Sequence, residues 1–236
     1  MILIIYHDIF HLPTMTNRRF VSIEGNIGSG KSTFLAHLEA FYRDKNNKDI
    51  VFIPEPVDQW SVIRDAMGQT MLEKFYQDQK KYAFSFQIMA YMSRLATLKK
   101  AVHDHPEASI FISERCLETD RCVFAKMLFD QGKMEDIDYQ IYTTWFDTLS
   151  KEFPICIRIY VKADPATCHH RIAIRCRQGE ATIPLDYLEM CHEYHERMML
   201  ESKAFVVTFD GNMDKTHALH EWTDYVDACL LDNMRV

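Results

Sequence analysis

Gly25-Asn26-Ile27-Gly28-Ser29-Gly30-Lys31-Ser32-Thr33 is the stretch on which the reading of this chain turns. It fits G-x-x-x-x-G-K-[ST], a loop whose glycines let backbone N–H groups turn inward around phosphate oxygens. In such a loop Lys31 reaches phosphate and Ser32 is placed to ligate Mg²⁺. The flanks agree. Residues 20–24 form a short apolar-rich strand, and residues 33–43 carry Phe34, Leu35, Leu38 and Phe41 at helical spacing. Strand, glycine turn and helix in succession predict a phosphate-binding loop rather than an ordinary tight turn.

Outward from the loop, two more strands end in charge. Residues 50–53 read as a buried strand running into Pro54-Glu55-Pro56, whose prolines hold Glu55 extended. Residues 109–113 form another, followed by Glu114-Arg115 and, shortly after, Asp120. The carboxyl ends of strands are where open α/β sheets bind ligands. Glu55, Glu114 and Arg115 therefore converge near the loop as candidate base, metal ligand and charge stabiliser, the set that phosphoryl transfer needs. Residues 154–161 and 204–209 supply a fourth and a fifth strand. The alternation predicts one α/β domain, a mostly parallel five-stranded sheet with helices on both faces.

The helical tracts add polar candidates. Residues 71–102 read as one long helix with an aromatic stripe that belongs to the core. Gln87 and Arg94 lie two turns apart on one face, and a Gln amide can read a nucleobase edge with one donor and one acceptor. Further helices are expected over 122–129 and 137–149. Asp164-Pro165 opens another, with Asp as N-cap and Pro at the first position. It carries Arg171 and Arg175, with Arg177 just beyond and a turn at Gln178-Gly179-Glu180. Those arginines suit either a lid over phosphates or a solvated basic face. His192 and His195, on the helix after Ile183-Pro184-Leu185, read as helix surface, and His103-Asp104-His105 as an exposed loop.

Bulk properties bound the partners. With 236 residues, one large domain is expected. The net charge of -7 argues against a nucleic-acid groove. The seven cysteines are odd in number and contain no C-x-x-C, which points to reduced thiols in the cytoplasm. Residues 1–15 form a flexible extension whose apolar start is far too short to span a bilayer; the domain is taken as 16–236.

With these residues in hand, the chain resembles the deoxynucleoside kinase family, which includes deoxycytidine, deoxyguanosine and mitochondrial thymidine kinases. The blocks that carry the likeness are residues 23–32, Pro54-Glu55-Pro56-Val57 with Trp60, Ser85-Phe86-Gln87, Glu114-Arg115 with Asp120 and Phe124, and the arginine segment ending in Ile183-Pro184-Leu185. The resemblance implies a P-loop NTPase-type fold with an Arg-rich lid, ATP as donor, Mg²⁺ and a homodimer. By that likeness Glu55 is the base for the nucleoside 5′-hydroxyl, Arg115 holds both, and Glu114 with Ser32 faces Mg²⁺. Gln87 pairs with the nucleobase between Phe86 and Phe124, Val57 and Trp60 line the same pocket, and Tyr76 with Glu180 holds the 3′-hydroxyl. Arg171, Arg175 and Arg177 meet donor phosphates, and the turn containing Asn212 and Asp214 holds the donor base.

Arg94 with Asp120 resembles the deoxycytidine and deoxyguanosine kinase side, so deoxycytidine and purine deoxynucleosides are expected over thymidine. The alternatives are a thymidine-preferring or multisubstrate kinase, a nucleoside monophosphate kinase, and a non-catalytic kinase-like subunit. Cys116 stands where many members have Ser, and Gly179 where some have an acid.

Overall fold

Strands apolar on both faces require a sheet covered on both sides. The computed structural model describes residues 18–45, 47–177 and 183–232, and it meets that requirement. In chain order the elements are β1 (Arg19–Glu24), α1 (Lys31–Asp44), β2 (Ile50–Ile53), α2 (Val57–Ser61), α3 (Met71–Gln77) and α4 (Gln79–Asp104). Then come β3 (Ile110–Glu114), α5 (Leu117–Thr119), a π-helical turn (Asp120–Ala125), α6 (Lys126–Asp130), α7 (Asp136–Leu149) and a 3-10 turn (Ser150–Glu152). The chain continues with β4 (Ile155–Lys162), α8 (Pro165–Arg175), α9 (Leu185–Leu200), β5 (Phe205–Asp210) and α10 (Lys215–Asp232).

The sheet order is β2-β3-β1-β4-β5, and every pairing is parallel rather than most of them. Side-chain alternation sorts the strands into two cores. Phe20 and Phe111 pack toward α4 and α7, whereas Val21, Ile23, Ile110 and Ile112 pack toward α1 and α10. Each such side chain taken out of water contributes on the order of 1.5–3 kcal/mol before entropy is charged. The register then sets the site. Ile23 lies level with Glu114, and Ile53 level with Ser113, so Glu55 and Arg115, each two residues further on, leave the sheet side by side.

Two helical boundaries differ from expectation. The tract over 71–102 is two helices, because Asp78 leaves helical geometry at φ -148 and ψ 83 and caps α4 by accepting from Lys81 N–H at 3.1 Å. The segment expected as a helix from 122 begins earlier and passes through the π-helical turn, whose wider winding puts Asp120 and Phe124 on one side. Pro165 does occupy the first position of α8, but Asp164 makes no side-chain cap there. The turn at 178–180, with Glu180, and residues 1–15 lie outside the described residues.

Candidate active site

Gly25 and Gly28 explain why the loop between β1 and α1 must be glycine-rich. Both have left-handed φ, 143° and 81°. A Cβ on Gly25 would sit 2.4 Å from the Val161 carbonyl oxygen, and one on Gly28 2.6 Å from that of Cys168. Gly30, with φ 112°, delivers the chain into α1, whose first N–H groups have no partner within the helix and suit an anion. Lys31 is buried and donates from Nζ to the Asn26 carbonyl at 2.7 Å. Asn26 faces away from the cavity and donates from Nδ2 to Leu188 O on α9 at 2.8 Å, tying the loop to that helix.

The loop opens into a cavity of about 370 Å³. Ile27, Gly28, Gly30, Lys31, Ser32 and Thr33 line it, together with Arg171, Arg175 and Arg177. Glu55, Glu114 and Arg115 share the lining, as do Trp60, Tyr76, Phe86, Gln87, Arg94, Asp120 and Phe124. Most of the residues singled out from sequence therefore surround one space. Gly25, Asn26 and Ser29 form the back of the loop rather than its lining. Val57, the first residue of α2, packs against the core and does not line the cavity. Asn212 accepts from Asp164 N–H at 3.0 Å and, like exposed Asp214, is not part of the lining.

Two arginines and three acids meet here. Ser32 Oγ donates to Glu114 Oε1 at 2.8 Å, placing two hard oxygen donors at the mouth of the loop. Arg115 stands at φ 63°, a left-handed conformation that costs a non-glycine residue on the order of 1–3 kcal/mol. Its N–H bonds Ile23 O at 2.9 Å, its Nη1 donates to Gly25 O at 2.8 Å, and its Nε lies 3.3 Å from Glu55 Oε1. Arg94, 3 % exposed, donates to Glu55 Oε1 at 3.0 Å, Asp120 Oδ2 at 2.9 Å and the Glu114 carbonyl at 2.7 Å.

These contacts set the acidities. Burial raises the Glu55 pKa, but the charges of Arg115 and Arg94 prevail and hold it at about 2. Burial, helped by the Arg115 charge, brings Lys31 down to about 8. Burial outweighs Arg94 at Asp120 and pushes its carboxyl up.

Part of the lining is aromatic, with one unpartnered amide oxygen beside it. Phe86 stacks on Phe75 at 4.5 Å, Trp60 donates from Nε1 to Ser93 Oγ at 2.7 Å, and the Phe124 ring lies 4.9 Å from the Arg115 guanidinium carbon. Gln87 is 1 % exposed, and its Oε1 is buried without a protein partner. A buried acceptor left so costs on the order of 1–3 kcal/mol unless a ligand meets it.

Leu72, Tyr187 and Ile174 also line the cavity and were not singled out from sequence. Tyr187 meets Tyr76 edge to face at 5.9 Å. Its signal was faint, an aromatic in the first turn of a helix. His195, expected on the helix surface, is instead fully buried, because α9 packs that face against the π-helical turn and the sheet. Among the described residues no helix is long and apolar enough to cross a membrane.

Comparison with known proteins agrees with this geometry. The family model for deoxynucleoside kinase matches residues 21–227. Human deoxycytidine kinase is 33% identical over 215 residues, covering 83% of this chain and 80% of its own. Mitochondrial thymidine kinase 2 of Macaca fascicularis is 31% identical over 211 residues, covering 85% of this chain and 74% of its own. A loop built for phosphates, an acid-arginine cluster at the strand ends and these matches lead to one conclusion: the chain belongs to the deoxynucleoside kinase family, whose members are ATP-using phosphotransferases with an alcohol group as acceptor.

Proposed function

We propose that the protein transfers the γ-phosphate of ATP to the 5′-hydroxyl of deoxynucleosides, in nucleotide salvage, with deoxycytidine and purine deoxynucleosides preferred over thymidine. The observation that carries this reading is that Glu55, clamped by Arg94 and Arg115, lines one cavity together with the phosphate loop and the aromatic side chains. A nucleoside base lies between Phe86 and Phe124 with its edge on Gln87, whose buried Oε1 supplies the missing acceptor. Tyr76, beside Tyr187, faces the sugar. The 5′-hydroxyl then meets Glu55, which takes its proton, while Arg115 and Lys31 balance the charge that develops on the transferred group.

Little covalent work is asked of the protein, because phosphoryl transfer passes through a loose transition state that rewards positioning and charge neutralisation. Arg171, Arg175 and Arg177 approach the donor phosphates, and the turn with Asn212 and Asp214 approaches the donor base. Ser32 and Glu114 are oxygen ligands of the kind Mg²⁺ takes and fit that ion, which when bound supplies charge neutralisation at the phosphates.

The preference rests on Asp120 and Arg94, which line the same cavity. A buried carboxylate accepts from an exocyclic amino group, and the guanidinium beside it crowds a thymine methyl. We also place the enzyme in the cytoplasm, which keeps its seven cysteines reduced. It works as a homodimer, with Ile137, Ile141 and Trp145 along the exposed face of α7 as the surface that a second copy covers. Turnover of the four deoxynucleosides with Mg-ATP tests the assignment. Deoxycytidine, deoxyadenosine or deoxyguanosine leads if the Asp120 reading holds. Thymidine in the lead removes that preference, and no product from any of them removes the kinase assignment.

A further inference from the structure

Arg115 does not hold its position through carboxylates alone. Its Nη1 lies 3.0 Å from Nε2 of His195, a residue on α9 that is wholly buried. The other ring nitrogen, Nδ1, lies 2.6 Å from the Cys191 carbonyl oxygen. A carbonyl only accepts, so Nδ1 carries the proton. In a neutral ring that leaves the Nε2 lone pair aimed at the guanidinium, the one arrangement in which both contacts are hydrogen bonds. Burial, and then the Arg115 charge, hold the imidazole well below its usual range and keep it neutral. The ring is fixed on its faces as well, stacked with Tyr160 and edge-on to Phe124.

The same face of α9 meets the phosphate loop. Leu188, seven residues before His195 and so two turns away, accepts from Asn26 Nδ2 through its carbonyl. One helix thus grips the loop at one level and Arg115 at another. We propose that His195 is the positioning residue for Arg115, a neutral acceptor that fixes the guanidinium between the Gly25 carbonyl and Glu55. The inference rests on the kinase reading of Arg115 given above, and it assigns His195 no contact with substrate. Without the acceptor, Arg115 keeps its charge but loses one of the bonds that aims it. The cost therefore falls on the transition state more than on ground-state binding.

Two measurements on the full chain test this. The first is the ring-nitrogen NMR spectrum, with the His195 signals assigned by their loss in His195→Gln. The expected pattern is a protonated Nδ1 and a bare Nε2; a protonated Nε2 overturns the proposal. The second is steady-state kinetics of His195→Phe, His195→Gln, Arg115→Ala and the double variant His195→Phe/Arg115→Ala. His195→Phe is expected to lose about 10-fold or more in kcat with nucleoside KM changed by less than about 3-fold. His195→Gln, which can donate and accept, is expected to recover to within about 3-fold, and the Phe change to cost less than about 2-fold when Arg115 is already Ala. A folded His195→Phe with wild-type kcat, or an equal loss in the Arg115→Ala background, overturns the proposal. If His195→Phe does not fold, the wild-type ring spectrum still decides. A wild-type chain with no deoxynucleoside turnover sinks the kinase reading and this inference with it. Wild-type turnover alongside an unaffected His195→Phe sinks this inference alone.

Discussion

Arg94 and Asp120 form a buried pair, Nε to Oδ2 at 2.9 Å, and the same guanidinium reaches Glu55 at 3.0 Å through Nη2. One side chain therefore joins the proposed base-reading acid to the proposed proton acceptor. Removing Arg94 alone leaves the deeply buried Asp120 uncompensated, while Glu55 keeps its contact with Arg115. Arg94→Met is expected to lose about 3–5 kcal/mol of folding stability, measured by denaturant unfolding. Adding Asp120→Ala removes the stranded charge and is expected to restore a large part of that loss. The folded double variant should turn over thymidine better relative to deoxycytidine than the parent does, as read by the ratio of kcat/KM values. An unchanged ratio would remove the pair from specificity.

Gln87 offers the cleanest separation of the two substrates. Its buried Oε1 has no protein partner, and the residue lines the cavity. Gln87→Leu should raise KM for the preferred deoxynucleoside by about 10-fold or more while leaving KM for ATP within about 2-fold, since only the base edge loses its partner. Equal effects on both constants would mean that Gln87 supports the cavity as a whole.

Gly28 links the phosphate loop to the helix that carries the arginines. A methyl group there meets Cys168 O at 2.6 Å and Ile172 Cγ1 at 3.1 Å, both on α8, at a φ of 81°. Gly28→Ala must therefore push α8, with Arg171 and Arg175, away from the loop. ATP affinity is expected to fall by about 10-fold or more, and the left-handed backbone to cost about 1–2 kcal/mol in stability. Titration calorimetry with ATP and a thermal melt read the two effects.

Glu55 and Lys31 set the expected pH dependence. Glu55 is held at about 2, below the unfolded value near 4.3, so its contribution to stability is full above about pH 4.3 and is lost as pH falls toward 2. It should impose no acid limb on kcat/KM above about pH 5. Lys31, held at about 8 by burial and Arg115, is depressed instead. Its burial opposes folding below that pH, and the cost fades between about 8 and the unfolded value near 10.4. In the free enzyme, kcat/KM for ATP should fall above about pH 8, while bound phosphate keeps Lys31 charged and kcat flatter. Matching alkaline limbs in both profiles would contradict this.

The loop and the charged strand ends were legible because their signals are local, whereas Tyr76 and Phe86 read as core by spacing and, like Trp60 and Phe124, entered the pocket through the family likeness. Glycine spacing, a proline-flanked Glu and a Glu-Arg pair after an apolar run each announce themselves within a few residues. His195 was not legible, since helical spacing shows which residues share a face but not which face is buried. Its burial depends on Phe124 and Tyr160, distant in sequence. The break at Asp78 did carry a local signal, an Asp at an N-cap, but continuous aromatic content on both sides hid it. Val57 and the turn with Asn212 and Asp214 were placed in the site by family likeness alone, and in this structure neither lines the cavity.

The central claim is that Glu55 takes the proton from the nucleoside hydroxyl. The most direct measurement is kcat for the wild-type chain and Glu55→Gln with Mg-ATP and the preferred deoxynucleoside, alongside ATP affinity for each. Glu55→Gln is expected to lose about 10²–10⁴-fold in kcat with ATP affinity nearly unchanged. A folded Glu55→Gln that turns over at the wild-type rate would contradict it.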